Sequence, residues 1–152
     1  MANKIHAGED PGAAVAHWAK RCHLAGRAAM EAMLRPFDLG STQWYVLHHL
    51  AQGGPTPQRE LVEQLQVERA TLSAVVAVLV RKGLVEQVPD RMDQRQKRLQ
   101  LSAAGVRRWK TLPDLSAIRR VAFDGMDAQA LAAAADVLRT ATARLEQFME
   151  KA

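Results

Sequence analysis

The sequence predicts a mainly α-helical fold carrying one small β-hairpin, and three observations predict it. Apolar residues recur at spacings of three and four along most of the 152 residues, the mark of amphipathic helices. Two short stretches, 84–88 and 98–101, read instead as strands on either side of a polar, basic tip, as in a hairpin. Aromatic residues are only 5% while Ala, Leu and Val are plentiful, a mixture that favours helix over sheet.

The elements follow in order. Residues 1–12 hold charges, a Pro and a Gly without the apolar core of a signal peptide, so a loose N-terminal tail is expected. A helix over 11–35 is predicted from Val15, Trp18, Ala19, Cys22, Ala25, Ala29 and Met33, and residues 36–40 end it. A second helix follows Ser41, with Trp44, Leu47 and Leu50 on one stripe, and stops at Gly53-Gly54-Pro55. Thr56-Pro57 reads as an N-cap followed by Pro at the first helical position. The short helix behind it carries Leu61, Val62 and Leu65. After a turn at Gln66-Val67, residues 68–82 place Leu72, Val75, Val76 and Leu79 at i, i+3, i+4 and i+7, and Gly83 is the natural stop. Two short, tightly spaced helices of this kind predict a helix-turn-helix.

The hairpin comes next, its strands flanking residues 89–97. Ser102 is placed to cap a further helix that runs to about Leu112 before Pro113 breaks it. Two more helical pieces follow, separated near Gly125. In the last, Leu131, Ala134, Leu138, Ala141, Leu145 and Phe148 form a narrow heptad-like seam, the pattern of helix-to-helix packing. Ordinary core packing would produce such a stripe too. The long helices at both ends, however, have more apolar face than so small a body can cover, so a partner subunit is expected.

Bulk properties limit the function. Hydrophobic residues at 48% and charged residues at 24% describe an ordinary soluble protein. The net charge of +5 and pI of about 9.9 suit a nucleic-acid partner. The excess is local: six basic residues (Arg81, Lys82, Arg91, Arg95, Lys97, Arg98) face three acidic ones (Glu86, Asp90, Asp93) between 81 and 98. Cys22 is the only cysteine, which excludes an intrachain disulfide and a Cys-rich metal site. The longest apolar run, 72–80, is interrupted by Ser73 and too short to span a membrane. A cytoplasmic protein is expected. His48 and His49 are adjacent, on different sides of a helix, and no carboxylate cluster accompanies them, so metal sensing has little support. Phosphate-loop, HExxH, Gly-x-Ser-x-Gly and dinucleotide-turn motifs are all lacking, and neither an enzyme nor a cofactor is expected.

The ordered set of local patterns resembles the MarR family of bacterial regulators. Pro36-Phe37-Asp38-Leu39-Gly40-Ser41-Thr42-Gln43-Trp44 is similar to that family's lead into its second helix. The residues 61–65, then Thr71-Leu72-Ser73, then Leu79-Val80-Arg81-Lys82-Gly83-Leu84-Val85, resemble its helix-turn-helix and the approach to its wing. Asp90-Arg91-Met92-Asp93-Gln94-Arg95, followed by Leu99-Gln100-Leu101-Ser102-Ala103-Ala104-Gly105, resembles its wing signature. The resemblance covers roughly 11–150. It implies a winged helix-turn-helix in an intertwined homodimer. Residues 1–152 would be one such domain, with dimerisation helices at about 11–40 and 113–150 and the DNA-binding region at about 41–112. It also implies a regulator that binds a near-palindromic operator, as two-fold symmetry requires.

Within residues 68–82, a step of 100° per residue from Leu72 puts Ala70, Ala74, Ala77 and Arg81 on the outward face, with Thr71 and Ser73 on the flanks. Arg69 falls nearer the buried side, within reach of the outside through its long side chain. Such a face can touch thymine methyl groups but offers few base hydrogen bonds. Direct readout is therefore assigned to Arg69, Thr71 and Ser73, with phosphate contact by Thr71 and Ser73 the alternative. The resemblance implies that Arg95 enters the minor groove, where a narrow groove concentrates negative potential, and that Asp93 holds the wing by pairing with a nearby Arg. Arg91, Lys97 and Arg98 are candidate phosphate contacts. Family members commonly bind small aromatic acids between the dimer helices and the winged domain. Here Trp18, His23, Arg27, Trp44, His48 and Arg108 are the aromatic or cationic candidates for a flat anion. Each also has a structural reading. Two alternatives stand beside this one. Redox sensing through Cys22 is weakened because the family's sensing cysteine would fall near Ala16, and a buried, unreactive Cys22 is expected. A helical protein-interaction module would explain the seam but not the basic hairpin.

Overall fold

A computed structural model describes residues 10–152, so the expected tail over 1–12 lies almost wholly outside the described residues. The chain forms two compact units, one ending at Leu115 and the other spanning Ser116–Ala152. The first holds α1 (Pro11–Leu34), α2 (Ser41–Gly53), β1 (Thr56–Pro57), α3 (Gln58–Leu65), α4 (Arg69–Arg81), β2 (Val85–Pro89), β3 (Lys97–Leu101) and α5 (Ala103–Trp109). The second holds α6 (Ser116–Phe123) and α7 (Ala128–Lys151). This is the mainly helical architecture with a hairpin that the pattern predicts, and the winged helix-turn-helix that the resemblance implies.

Local chemistry sets the boundaries. The Asp10 carboxylate accepts the Gly12 N–H at 3.0 Å and Pro11 opens α1, a start that satisfies one otherwise orphaned donor. A 3₁₀ turn at Arg35–Phe37 ends the helix, and Asp38 leaves it at φ 54°, in the left-handed region that Asp tolerates better than most residues. Glu31, one turn before the end of α1, accepts the Ser41 N–H at 3.0 Å and so ties α1 to the start of α2. The Ser41 hydroxyl, then its N–H, hold the Glu31 carboxyl below its ordinary value, against the upward push of burial.

The core of the first unit is built from Leu34, Val46, Leu47, Leu61, Leu72, Val76, Leu79, Val85 and Leu99, all essentially inaccessible. On α4 the buried line is Leu72, Val76 and Leu79 while Val75 is only half-buried, so the helix is turned slightly from the four-residue stripe that the spacing predicts.

Thr56-Pro57 departs from expectation. Instead of capping α3, the Thr56 hydroxyl donates back to the Gly54 carbonyl at 2.9 Å, and the two residues pair antiparallel with Leu99 and Arg98. Pro57, which has no N–H to give, is tolerated on such an edge strand. The wing is thereby a three-stranded sheet in the order β1-β3-β2. β2 and β3 pair from Val85↔Leu101 to Pro89↔Lys97. At its root the Ser102 hydroxyl accepts the Gly105 N–H at 2.9 Å and donates to the Gly83 carbonyl, while the Ser102 N–H donates to Leu84. Ser102 is thus both the cap of α5 and the rivet of the wing. α5 itself is shorter than predicted, ending at Trp109 rather than near Leu112.

Large apolar faces remain open. In α7, Leu138, Leu145 and Phe148 are exposed, Phe148 by 67%, and Val121 of α6 is 89% exposed. In α1, Val15, Trp18, Cys22 and Ala25 are exposed, whereas Met30 and Leu34 are buried. The expected burial of Cys22 is therefore corrected: it lies on the stretch of α1 that the first unit leaves uncovered. Among the described residues, no helix is long and apolar enough to cross a membrane.

Candidate nucleic-acid interface

The helix α4 presents Arg69, Ala70, Thr71, Ser73, Ala74, Ala77 and Arg81 to solvent, with Leu72 fully buried behind them. This is the outward face that helical geometry predicts, and Arg69, the first residue of the helix, joins it. A polar link that the sequence did not reveal crosses to the preceding helix: Gln58 Nε2 donates to Ser73 Oγ at 2.9 Å. Its only signal was the position of Gln58 as the first residue of α3, which periodicity alone does not connect with α4. At the far end of the helix, Lys82 Nζ sits 3.3 Å from the Asp38 carboxylate and also reaches the Asp38 carbonyl. Lys82 is thus committed to the α1–α2 connection.

The wing is organised by Asp90. This carboxylate is only 9% exposed. It accepts the Met92 N–H at 2.8 Å and Arg98 Nε at 3.0 Å. The Met92 N–H first, and then Arg98, hold the Asp90 carboxyl below its ordinary value, although burial pushes the other way. Backbone bonds from Asp90 N to Gln96 O and from Gln96 N to Asp93 O close the loop. Asp93 accepts the backbone N–H of Arg95 at 3.0 Å. The expected pairing of Asp93 with an arginine is therefore corrected. The Asp–Arg pair of the wing is Asp90–Arg98, because Asp90 stands at the base of the loop beside β3, while Asp93 spends its carboxylate on shaping the turn around Arg95. Arg91, Arg95 and Lys97 are exposed, and Arg98 is half-buried with its Nε engaged. The result is a hydrogen-bonded loop carrying three free-standing cations beside the outward face of a helix, both built on one unit. Ion pairing with phosphates and insertion into a groove are the chemistry such a surface can perform.

The candidate effector residues divide into two sets. Trp44 and His48 of α2 stack with ring centroids 4.8 Å apart and planes 10° from parallel. Trp109, which the sequence reading left out, completes the cluster at 5.5 Å from Trp44 and 5.6 Å from His48. Its signal was its place beside Arg108 in the last turn of α5. Trp44 Nε1 and His48 Nδ1 are buried without a hydrogen-bond partner, a costly state for buried polar atoms. Burial, and then His49, push the His48 pKa down. Arg108 donates to the Phe37 carbonyl and lies over the Phe37 ring at 5.7 Å, so it is engaged with the α1–α2 connection. Trp18, His23 and Arg27 lie exposed along α1, Trp18 edge-on to His17 and beneath Arg21.

Residues 37–96 match the model of the MarR family, a span from the 3₁₀ turn through α4 to the wing. The fold is similar to that of a mutant MarR from E. coli complexed with operator DNA, at 20% identity and a TM-score of 0.75, covering 84% of this chain and 92% of that one. It is also similar to the PcaV transcriptional regulator from Streptomyces coelicolor in complex with its natural ligand, at 26% identity and a TM-score of 0.72, covering 90% and 96%. A third similar structure is Bordetella bronchiseptica BpsR, whose DNA binding is regulated by 6-hydroxynicotinic acid, at 21% identity and a TM-score of 0.72, covering 84% and 98%.

Proposed function

We propose that this chain is a MarR-type, sequence-specific DNA-binding repressor, a reading supported by the match of residues 37–96 to the MarR family model and by the similar folds of MarR-family regulators. It acts as a homodimer on a pseudo-palindromic operator and is released by a small aromatic or phenolic acid. One observation carries the reading: the exposed face of α4 shares a unit with a wing whose Arg91, Arg95 and Lys97 stand free while Asp90 holds its base. Arg95 enters the minor groove, Arg91 and Lys97 meet phosphates with Arg98 and Arg81 in support, and Arg69, Thr71 and Ser73 face the bases.

A second copy of the chain is the occupant of the open apolar faces. The heptad seam of α7 and the exposed stripe of α1 both call for a helical partner, and two-fold symmetry matches a palindromic site. In this assembly about 11–40 and 113–150 dimerise and about 41–112 bind DNA. The effector reading rests on the cluster of Trp44, His48 and Trp109, in which the unpaired Trp44 Nε1 and His48 Nδ1 suit a flat ligand that brings polar groups. Trp18, His23, Arg27 and Arg108 are the further candidates. That E. coli MarR is complexed with operator DNA, and PcaV with its natural ligand, supports both parts.

Footprinting on the DNA flanking the chain's own gene tests the proposal. The expected result is a protected dyad whose protection a phenolic acid removes. No protection at any protein concentration would refute it.

A further inference from the structure

We propose that Gln58 is a specificity-determining residue that acts through Ser73: its amide fixes the Ser73 hydroxyl as a hydrogen-bond donor toward the DNA bases. The inference rests on the DNA-binding reading above and adds to it a residue outside α4.

A serine hydroxyl carries one proton and two lone pairs and rotates to suit its neighbour. A free serine on a reading helix therefore accepts from a base donor as readily as it donates to a base acceptor, and it discriminates little. Ser73 is not free. Gln58 Nε2 donates to its Oγ at 2.9 Å, occupying a lone pair and turning the hydroxyl proton away from α3. Among the described residues no other hydrogen bond of the Ser73 side chain competes for that proton. Ser73 is exposed with Gln58 half-buried beside it, and Ala70, Ala74 and Ala77, the alanines of that face, offer only methyl groups. With Thr71, Ser73 is thus one of two hydroxyls that this part of the helix shows to a groove, and the one whose proton is directed by a neighbour. In the major groove it matches guanine O6 and N7, adenine N7 or thymine O4 and does not match the amino groups of cytosine or adenine.

The test is motif selection from random duplexes, followed by competition binding with single base-pair changes. It uses the full-length protein and its Gln58→Ala, Gln58→Glu, Ser73→Ala and Gln58→Ala/Ser73→Ala variants. The wild type is expected to prefer an acceptor edge at one base pair in each half-site. Gln58→Ala lowers that preference about five- to tenfold, the worth of a single directed hydrogen bond, and leaves the other positions unchanged. In Gln58→Glu the carboxylate takes the serine proton, so the preference at that pair turns toward adenine N6 or cytosine N4. The double variant is no less selective than Ser73→Ala, since the two residues form one unit. Two results would overturn the inference alone: unchanged preference at every position in the Gln58 variants, or a uniform loss of affinity with the motif intact. Selection of no motif by the wild type would instead refute the DNA-binding reading itself. Melting temperatures within a degree or so of one another show that the variants fold alike.

Discussion

Replacing Gly105 by Ala sets two physical effects of known sign against each other. Gly105 is the third residue of α5, and on helix propensity alone the change stabilises by about 1 kcal/mol. The structure says the opposite. A Cβ at this position would stand 2.0 Å from the Leu84 carbonyl oxygen, 3.0 Å from its carbon and 3.4 Å from Leu101 Cβ. Reaching ordinary contact requires about 1.4 Å of movement between two pieces of backbone. Neither can move alone. The Leu84 oxygen accepts the Ser102 N–H at 3.0 Å, and Ser102 is bonded to both Gly105 and Gly83. Overpacking costs about 1–3 kcal/mol and weakening the Leu84–Ser102 bond about 1 kcal/mol more. The net expectation is destabilisation of about 1–3 kcal/mol. In a chain of this length each kcal/mol lowers Tm by about 2–4 °C. Thermal and urea unfolding at one fixed protein concentration measure it, since the stability of the proposed dimer depends on concentration. Because Leu84 leads into β2, the wing should also be displaced and DNA affinity reduced. A Tm equal to or above that of the wild type would show that propensity wins and that α5 is not seated against Leu84.

Other perturbations test separate parts of the account. Leu72→Ala removes a fully buried side chain from the base of α4 and should cost about 3–5 kcal/mol in urea unfolding; a loss below about 1 kcal/mol would place that residue outside the core. His48, whose pKa is pushed down by burial and by His49, resists protonation when folded. Stability should therefore fall as pH drops below the ordinary value of 6.5, and His48→Phe, which keeps the stacking, should flatten that dependence in a pH series of melts. Asp90 has a lowered pKa, so its contribution is complete above the ordinary 3.8 and fades only as pH falls through the lower folded value. Carboxyl NMR should show Asp90 titrating below the ordinary aspartate value, and Asp90→Asn should loosen the wing, read as faster exchange of the Met92 amide. If the proposed dimer packs through α7, Phe148→Glu puts a charge into its apolar seam and should turn it into monomers in light scattering, whereas an unchanged mass would place the interface elsewhere.

The order and type of the helices were legible because each has a buried stripe that repeats at helical spacing, as Leu72, Val76 and Leu79 do. The outward face of α4 followed from the same geometry. Three features were not legible. β1 depends on Thr56 turning its hydroxyl back to Gly54 and pairing with Leu99, a contact more than forty residues away in the chain. The wing's ion pair fell to Asp90 rather than Asp93 because the loop's backbone path decides which carboxylate meets Arg98. Gln58–Ser73 and the Trp44–His48–Trp109 cluster are tertiary contacts that local pattern cannot encode. Cys22 was expected to be buried for a related reason: the apolar spacing of α1 marks a face suited to packing but does not say against what, and the first unit leaves the Cys22 stretch open.

The most direct measurement is fluorescence anisotropy of the protein on labelled DNA flanking its own gene and on scrambled DNA, across a salt series, beside Arg95→Ala. The account predicts tight, sequence-selective, salt-dependent binding. Each cation that displaces counterions from DNA contributes about 0.9 to the log–log salt slope, and an Arg95 seated in the minor groove between the phosphate strands counts among them, so losing it from both wings of the proposed dimer should flatten the slope by about 2. Equal, weak binding to both DNAs at every salt concentration, with no effect of the substitution, would contradict it.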